Sequence, residues 1–169
     1  MWFRRAKKMW VVTVDEKGKQ LGDGRWAEIP KPDSCRSDGL ARIEGYVSRV
    51  LRSSARFTSL IVATPDHQMA ISLRQRDGIP EFGLTVEWRS EPERERAIRQ
   101  FFAERGLSAS RDYLGGNGGV PDAIRLLDFC LPSDGQFITT VTKDVLRQVY
   151  HLQEQDALDF TYQEDNEPV

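Results

Sequence analysis

The sequence predicts an α+β fold with a mostly antiparallel sheet of about five strands and helices packed on one face. Three observations predict it. Residues 57–107 read as three strand-like runs, at 57–64, 67–75 and 82–89, joined by turn-like connections at 65–66 and 76–80 and followed by an amphipathic helix. Ile138, Val141, Val145, Val149 and Leu152 recur at helical spacing, with Phe137, Leu146 and Tyr150 widening the stripe. Single strand-like runs follow each of those two helices, so the main body reads α-β-β-β-α-β-α-β after an N-terminal hairpin.

Composition limits the function classes. The 169 residues are long enough to bury a core without a metal or disulfide staple. Charged residues make up 30% of the chain, yet the formal charge is only −2, so no global attraction to nucleic acid is implied. Cys35 and Cys130 stand at a spacing that matches no zinc or redox motif and read as reduced thiols of a cytoplasmic protein. The apolar runs are too short for a transmembrane helix.

In chain order, residues 1–9 form a basic and aromatic arm in which Arg4, Arg5, Lys7 and Lys8 lie among Trp2, Phe3, Met9 and Trp10. Such an arm could meet lipid headgroups, but it is short and lacks a second membrane signal, so a terminus resting on the domain is the preferred reading. A single α+β domain is expected over 10–163, and within it residues 10–29 form a peripheral hairpin. Its strands come from Val11, Val12 and Val14 and from 25–29, around the turn chemistry of Gly22-Asp23-Gly24. Residues 30–36 are an exposed connection, and the main body occupies 37–163.

A first helix starts at Ser37 or Asp38 and buries Leu40, Ile43, Val47, Val50 and Leu51. In the meander, period-two alternation turns Met69, Ile71, Leu73, Phe82, Leu84, Val86 and Trp88 toward the helices. The first run is apolar on both sides, with Phe57, Ile61 and Ala63 on one and Leu60 and Val62 on the other. Ser90 and Glu93 stand in capping-box register ahead of Ala97, Ile98, Phe101 and Phe102, and Gly106-Leu107 has the form of a Schellman ending. Arginines and glutamates interleave on this helix and read as a solvated face with ion pairs. Residues 123–131 read as an interior strand, and Ser133 with Gln136 as a second capping box. A last strand covers 158–162, and 164–169 is an acidic flexible tail. The order of helix, three-strand meander and helix resembles that of small bacterial secretion-chaperone folds, in element order alone and over the middle of the chain.

No catalytic residue is assigned, because no nucleophile elbow, Cys–His motif, HExxH, P-loop or EF-hand is present. No metal ligand set and no cofactor are expected; His67 and His151 lack partners at ligand spacing. The leading functional expectation is a non-enzymatic protein-interaction module, self-associating or adaptor-like, using the sheet face away from the helices. Gln68, Ser72, Arg74, Thr85, Glu87 and Arg89 would stand open there, with Leu60 and Val62 as its apolar patch. The alternative is a small-molecule or phosphate ligand held by the loop of Gly115, Gly116, Asn117, Gly118 and Gly119 with Tyr113 and Arg125. That loop lacks the following helix and the lysine that strengthen phosphate loops, so its glycines read first as permitting positive φ in a long exposed turn.

Overall fold

The computed structural model describes residues 8–15, 17, 19–87, 89–117 and 120–165. Residues 1–7 of the predicted arm, Trp88, Gly118, Gly119 and residues 166–169 of the predicted tail lie outside them. Among the described residues the chain is α+β, with three α-helices, a seven-stranded antiparallel sheet and a separate two-stranded one.

Strands β1 (Lys8–Val14) and β2 (Gln20–Glu28) form the N-terminal hairpin, in which Trp10 lies opposite Trp26. Both indoles are exposed and meet edge to face, their centroids 5.3 Å apart. Arg25 pairs with Asp165 and so ties this ribbon to the far end of the chain. Strand β3 (Asp33–Cys35) and a 3-10 turn (Gly39–Arg42) lead into α1 (Ile43–Arg52). The meander comes next as β4 (Phe57–Ala63), β5 (Ala70–Arg76) and β6 (Ile79–Val86), then α2 (Pro92–Ala103). Strands β7 (Arg111–Asn117) and β8 (Val120–Cys130) form a second hairpin, succeeded by α3 (Gly135–Gln148) and β9 (Leu158–Asp165).

The large sheet runs β3-β9-β4-β5-β6-β8-β7, which is seven strands rather than the predicted five or so. One addition, β3, falls in the stretch read as a connection, and the other, β7, in the glycine-rich stretch read as a loop. The last strand lies between β3 and β4. It also runs on through Gln163, Glu164 and Asp165, so the start of the predicted tail is strand.

Local chemistry explains where several elements begin and end. Asp77 and Gly78 both have positive φ, 49° and 81°, which makes a two-residue hairpin turn whose twist suits the flanking strands. Pro80 therefore stands inside β6 opposite Gln75, and its carbonyl accepts from the Leu131 amide at 2.9 Å. The connection predicted over 76–80 is shorter than expected for that reason. Neither predicted capping box forms. Pro92 at the start of α2 makes Glu91 the capping position, with no side-chain bond, while Ser90 donates to Glu87 instead. At α3 the cap is Asp134, whose Oδ1 accepts from the Gln136 and Phe137 amides at 2.9 and 3.1 Å. The predicted ending at Gly106 holds: its φ is 70°, and the Leu107 amide reaches back to the Phe102 carbonyl at 3.0 Å.

The core gathers alternate strand residues with helix residues. Leu60 faces Leu73, Leu73 faces Phe82, and Phe82 faces Phe129, while Val62 faces Phe160, so all of these lie on one side of the sheet. They cluster with Ile43 and Val47 of α1, Ile98 and Phe102 of α2, and Ile138 and Val145 of α3. Phe102 stacks on Phe129 with centroids 3.7 Å apart, and Tyr46 of α1 stacks on Phe160 at 4.6 Å. The predicted inward set from Met69 to Val86 is buried as read. Leu60 and Val62, each 1% exposed, belong with it, which corrects their placement on the open face. Residues flanking them on β4, Ser59 and Ile61, take the opposite side.

Candidate functional site

The side of the sheet away from Leu60 and Val62 carries Ile61 and Ala63 of β4, Ser72 and Arg74 of β5, Glu81, Gly83 and Thr85 of β6, Leu126 and Asp128 of β8, and Arg111 and Tyr113 of β7. At its centre a charged network spans four strands. Arg74 donates to Asp128 across Gly83, and Arg111 lies 3.3 Å from Glu81 and 3.6 Å from Asp128. Gly83 makes this crossing possible, because a Cβ there would come within 2.8 Å of both Arg74 Nη2 and Asp128 Oδ1. The Asp128 side chain is 6% exposed. Its burial outweighs the two guanidinium groups and holds the carboxyl above its ordinary range, and burial likewise raises the Tyr113 phenol. Two buried atoms of the network, Arg74 Nε and Glu81 Oε2, have no hydrogen-bond partner. Two arginines thus meet two acids, and the Ser72 hydroxyl lies at the same crossing over Gly83.

The other predicted face residues divide. Ser72 and Arg74 belong to the central network, where Ser72 Oγ donates to the Gly83 carbonyl at 3.4 Å. Gln68 lies in the exposed turn before β5, Thr85 is exposed near the end of β6, and Glu87 and Arg89 are exposed beyond it. Gln68, Thr85 and Glu87 come together as walls of a pocket of about 600 Å³, which is completed by His67, Met69, Ala70, Val86, Glu91, Arg94, Ile124 and Tyr150. Sequence reading missed this pocket. Its nearest signal was Tyr150 on the apolar stripe of the last helix, the one residue there carrying a hydroxyl.

The glycine loop has a different form from the one considered. Tyr113, Gly115, Gly116 and Asn117 are part of β7, at the edge of the sheet, and Asn117 pairs with Val120 to close a β-hairpin. The next element is β8 and not a helix, so no array of free helical amides faces the glycines. Arg125 is engaged with Asp112 at 2.9 Å and with Glu95 at 3.8 Å. The pocket takes Ile124 from this hairpin and none of Tyr113, Gly115 or Arg125.

A second pocket of about 480 Å³ lies beside α1, lined by Asp33, Ala41, Arg42, Gly45, Tyr46 and Arg49. Asp33 accepts from both Arg42 and Tyr46; the Arg42 bond holds its carboxyl below the ordinary range. Burial first, and then the bond to Asp33, push the Tyr46 phenol up to about 12. Among the described residues, no group of three or more His, Cys, Asp and Glu is arranged to hold a metal. No helix among them is long and apolar enough to cross a membrane. No protein-family model, curated protein sequence or solved structure matches this chain.

Proposed function

We propose that this protein is a non-enzymatic interaction module that associates with a second copy of itself through the sheet face opposite Leu60 and Val62. On this reading the three helices share the Leu60 side and the other face is the docking surface. The observation that carries it is the arrangement around Ile61, which is 40% exposed in the middle of β4. On one side β9 presents Thr161 abreast of Ile61 and Asp159 abreast of Ala63; on the other β5 presents Ser72, Arg74 and Arg76. A two-fold axis beside Ile61 lays Asp159 of one copy toward Arg74 and Arg76 of the other, as an isologous contact requires. The central network of Arg74, Asp128, Arg111 and Glu81 holds the arginine in place for that role.

The size of such a contact comes from strand geometry. Overlaying the columns from β3 to β6 gives a patch about 24 Å wide and about 23 Å long. That is about 550 Å² per copy, below the ~800 Å² of a standard stable interface. Association is therefore weak and concentration-dependent. Sedimentation velocity over a series from micromolar to millimolar protein shows the weight-average mass rising toward a dimer, and Ile61→Arg abolishes the rise while leaving the circular dichroism and melting temperature unchanged. A wild-type chain that stays monomeric over the whole series overturns the proposal.

A further inference from the structure

The pocket at the end of the sheet shares Thr85 with the dimer face but has its own chemistry. Tyr150, just past α3, lines it, and its buried hydroxyl has no hydrogen-bond partner. The Arg94 guanidinium lies over the Tyr150 ring, 5.2 Å from its centroid, and pairs with Glu91 through Nη1. Arginine carries five N–H donors, so most of its capacity is left over after that one bond. An unpartnered phenol and a half-buried guanidinium are donors of the kind from which a carboxylate accepts. Glu87, also on the pocket, supplies an anion held by Ser90, whose hydroxyl donates to Glu87 Oε2 at 3.1 Å. Ile124 and the edges of the buried Met69 and Val86 are the pocket's apolar lining.

We propose that this pocket binds a small zwitterion of the amino-acid class. Its carboxylate takes the Tyr150 hydroxyl and Arg94, its ammonium turns to Glu87, and its side chain lies on Met69, Val86 and Ile124. The volume of about 600 Å³ is within the range of small-molecule sites and leaves room for a large side chain. Burial pushes the Tyr150 phenol up to about 12, so at neutral pH it keeps the proton that the carboxylate would accept. The glutamates at the pocket disfavour a phosphate, whose two charges would meet Glu87 and Glu91 without an ammonium between them.

The test is titration calorimetry of the full-length chain with free L-amino acids, their N-acetyl derivatives, their amides and inorganic phosphate. At least one free amino acid binds saturably, and its N-acetyl form and its amide each bind at least tenfold more weakly, with phosphate weaker still. Tyr150→Phe weakens binding at least tenfold yet leaves the ligand-free melting temperature unchanged or higher, because the lost hydroxyl has no protein partner to abandon. Arg94→Gln gives the same loss of binding with the ring left in place, and it decides the matter if Tyr150→Phe does not fold. Absence of saturable binding across the amino acids overturns the proposal. So does equal binding of acid and amide, or binding that both variants leave intact.

Discussion

Replacing Gly83 with alanine puts one methyl group into the path of a charge pair. The added Cβ would stand 2.8 Å from Arg74 Nη2, 2.8 Å from Asp128 Oδ1 and 2.5 Å from Ser72 Oγ. The serine hydroxyl can turn to another rotamer, and the buried aspartate has little room, so the long arginine is the group that leaves. Removing one partner of a buried pair costs about 3–5 kcal/mol. The lower end applies, since Arg111 remains 3.6 Å from Asp128 and Arg74, 23% exposed, can swing its charge into water. Against a loss of about 3 kcal/mol stands a gain of about 0.5–1 kcal/mol from replacing glycine in a strand interior. The net destabilisation is therefore about 2 kcal/mol. Urea unfolding at neutral pH measures it. Two controls isolate the cause. In an Arg74→Met, Asp128→Leu background the methyl has no charge to displace, so Gly83→Ala becomes neutral or stabilising. In the otherwise wild-type chain the loss shrinks at acid pH, where Asp128 is protonated and no longer needs the guanidinium. An equal loss in both backgrounds would refute the displacement argument and leave only a backbone effect.

The other predictions concern the same sheet and the core beneath it. Phe102→Ala removes the ring stacked on Phe129, and at complete burial it costs about 3–5 kcal/mol in chemical denaturation; a loss below about 1 kcal/mol would mean that α2 does not pack where its ring contacts put it. Asp128 gives a pH signature of definite sign. Its folded pKa lies above the ordinary value of 3.8, so the native chain holds the proton more tightly than the unfolded one. Stability from this group falls as pH rises above about 3.8, until the carboxyl is ionised in both states. The stability of the wild type minus that of Asp128→Asn therefore decreases from acid toward neutral pH, and a difference that increases with pH would contradict it.

Much of the fold was legible because its strands alternate strictly. Ile71 and Leu73 on β5 and Phe82 and Leu84 on β6 are buried, while Ser72 and Arg74 between them are less so, as period two requires. The facing of β4 was not legible. It is apolar on both sides, and which side is buried depends on its register with β5, a long-range property that a single strand does not encode. Strand β7 was hidden by its own composition, since Gly115 and Gly116 outweigh Tyr113 and Leu114 in any local reading. The site failed to show for a related reason. Asp128 had no visible partner because Arg74 is 54 residues away in sequence and reaches it only across Gly83. The pocket joins Tyr150 to the start of α2 and the ends of two strands, a meeting that exists only after the helices are placed.

The position of β9 between β3 and β4 has a consequence for how the chain is made. Phe57 pairs with Asp165, roughly a hundred residues later, so one side of β4 stays open until that intervening stretch has left the ribosome. At about 5–20 residues per second that interval lasts about 5–20 s. During it β4, whose sequence Phe57–Ala63 has neither charge nor proline and is rich in apolar residues, presents an unsatisfied strand edge to its surroundings. The sheet is therefore completed only once β9 has been made, and a chain stopped before Leu158 would lack an interior strand, splitting β3 from the rest.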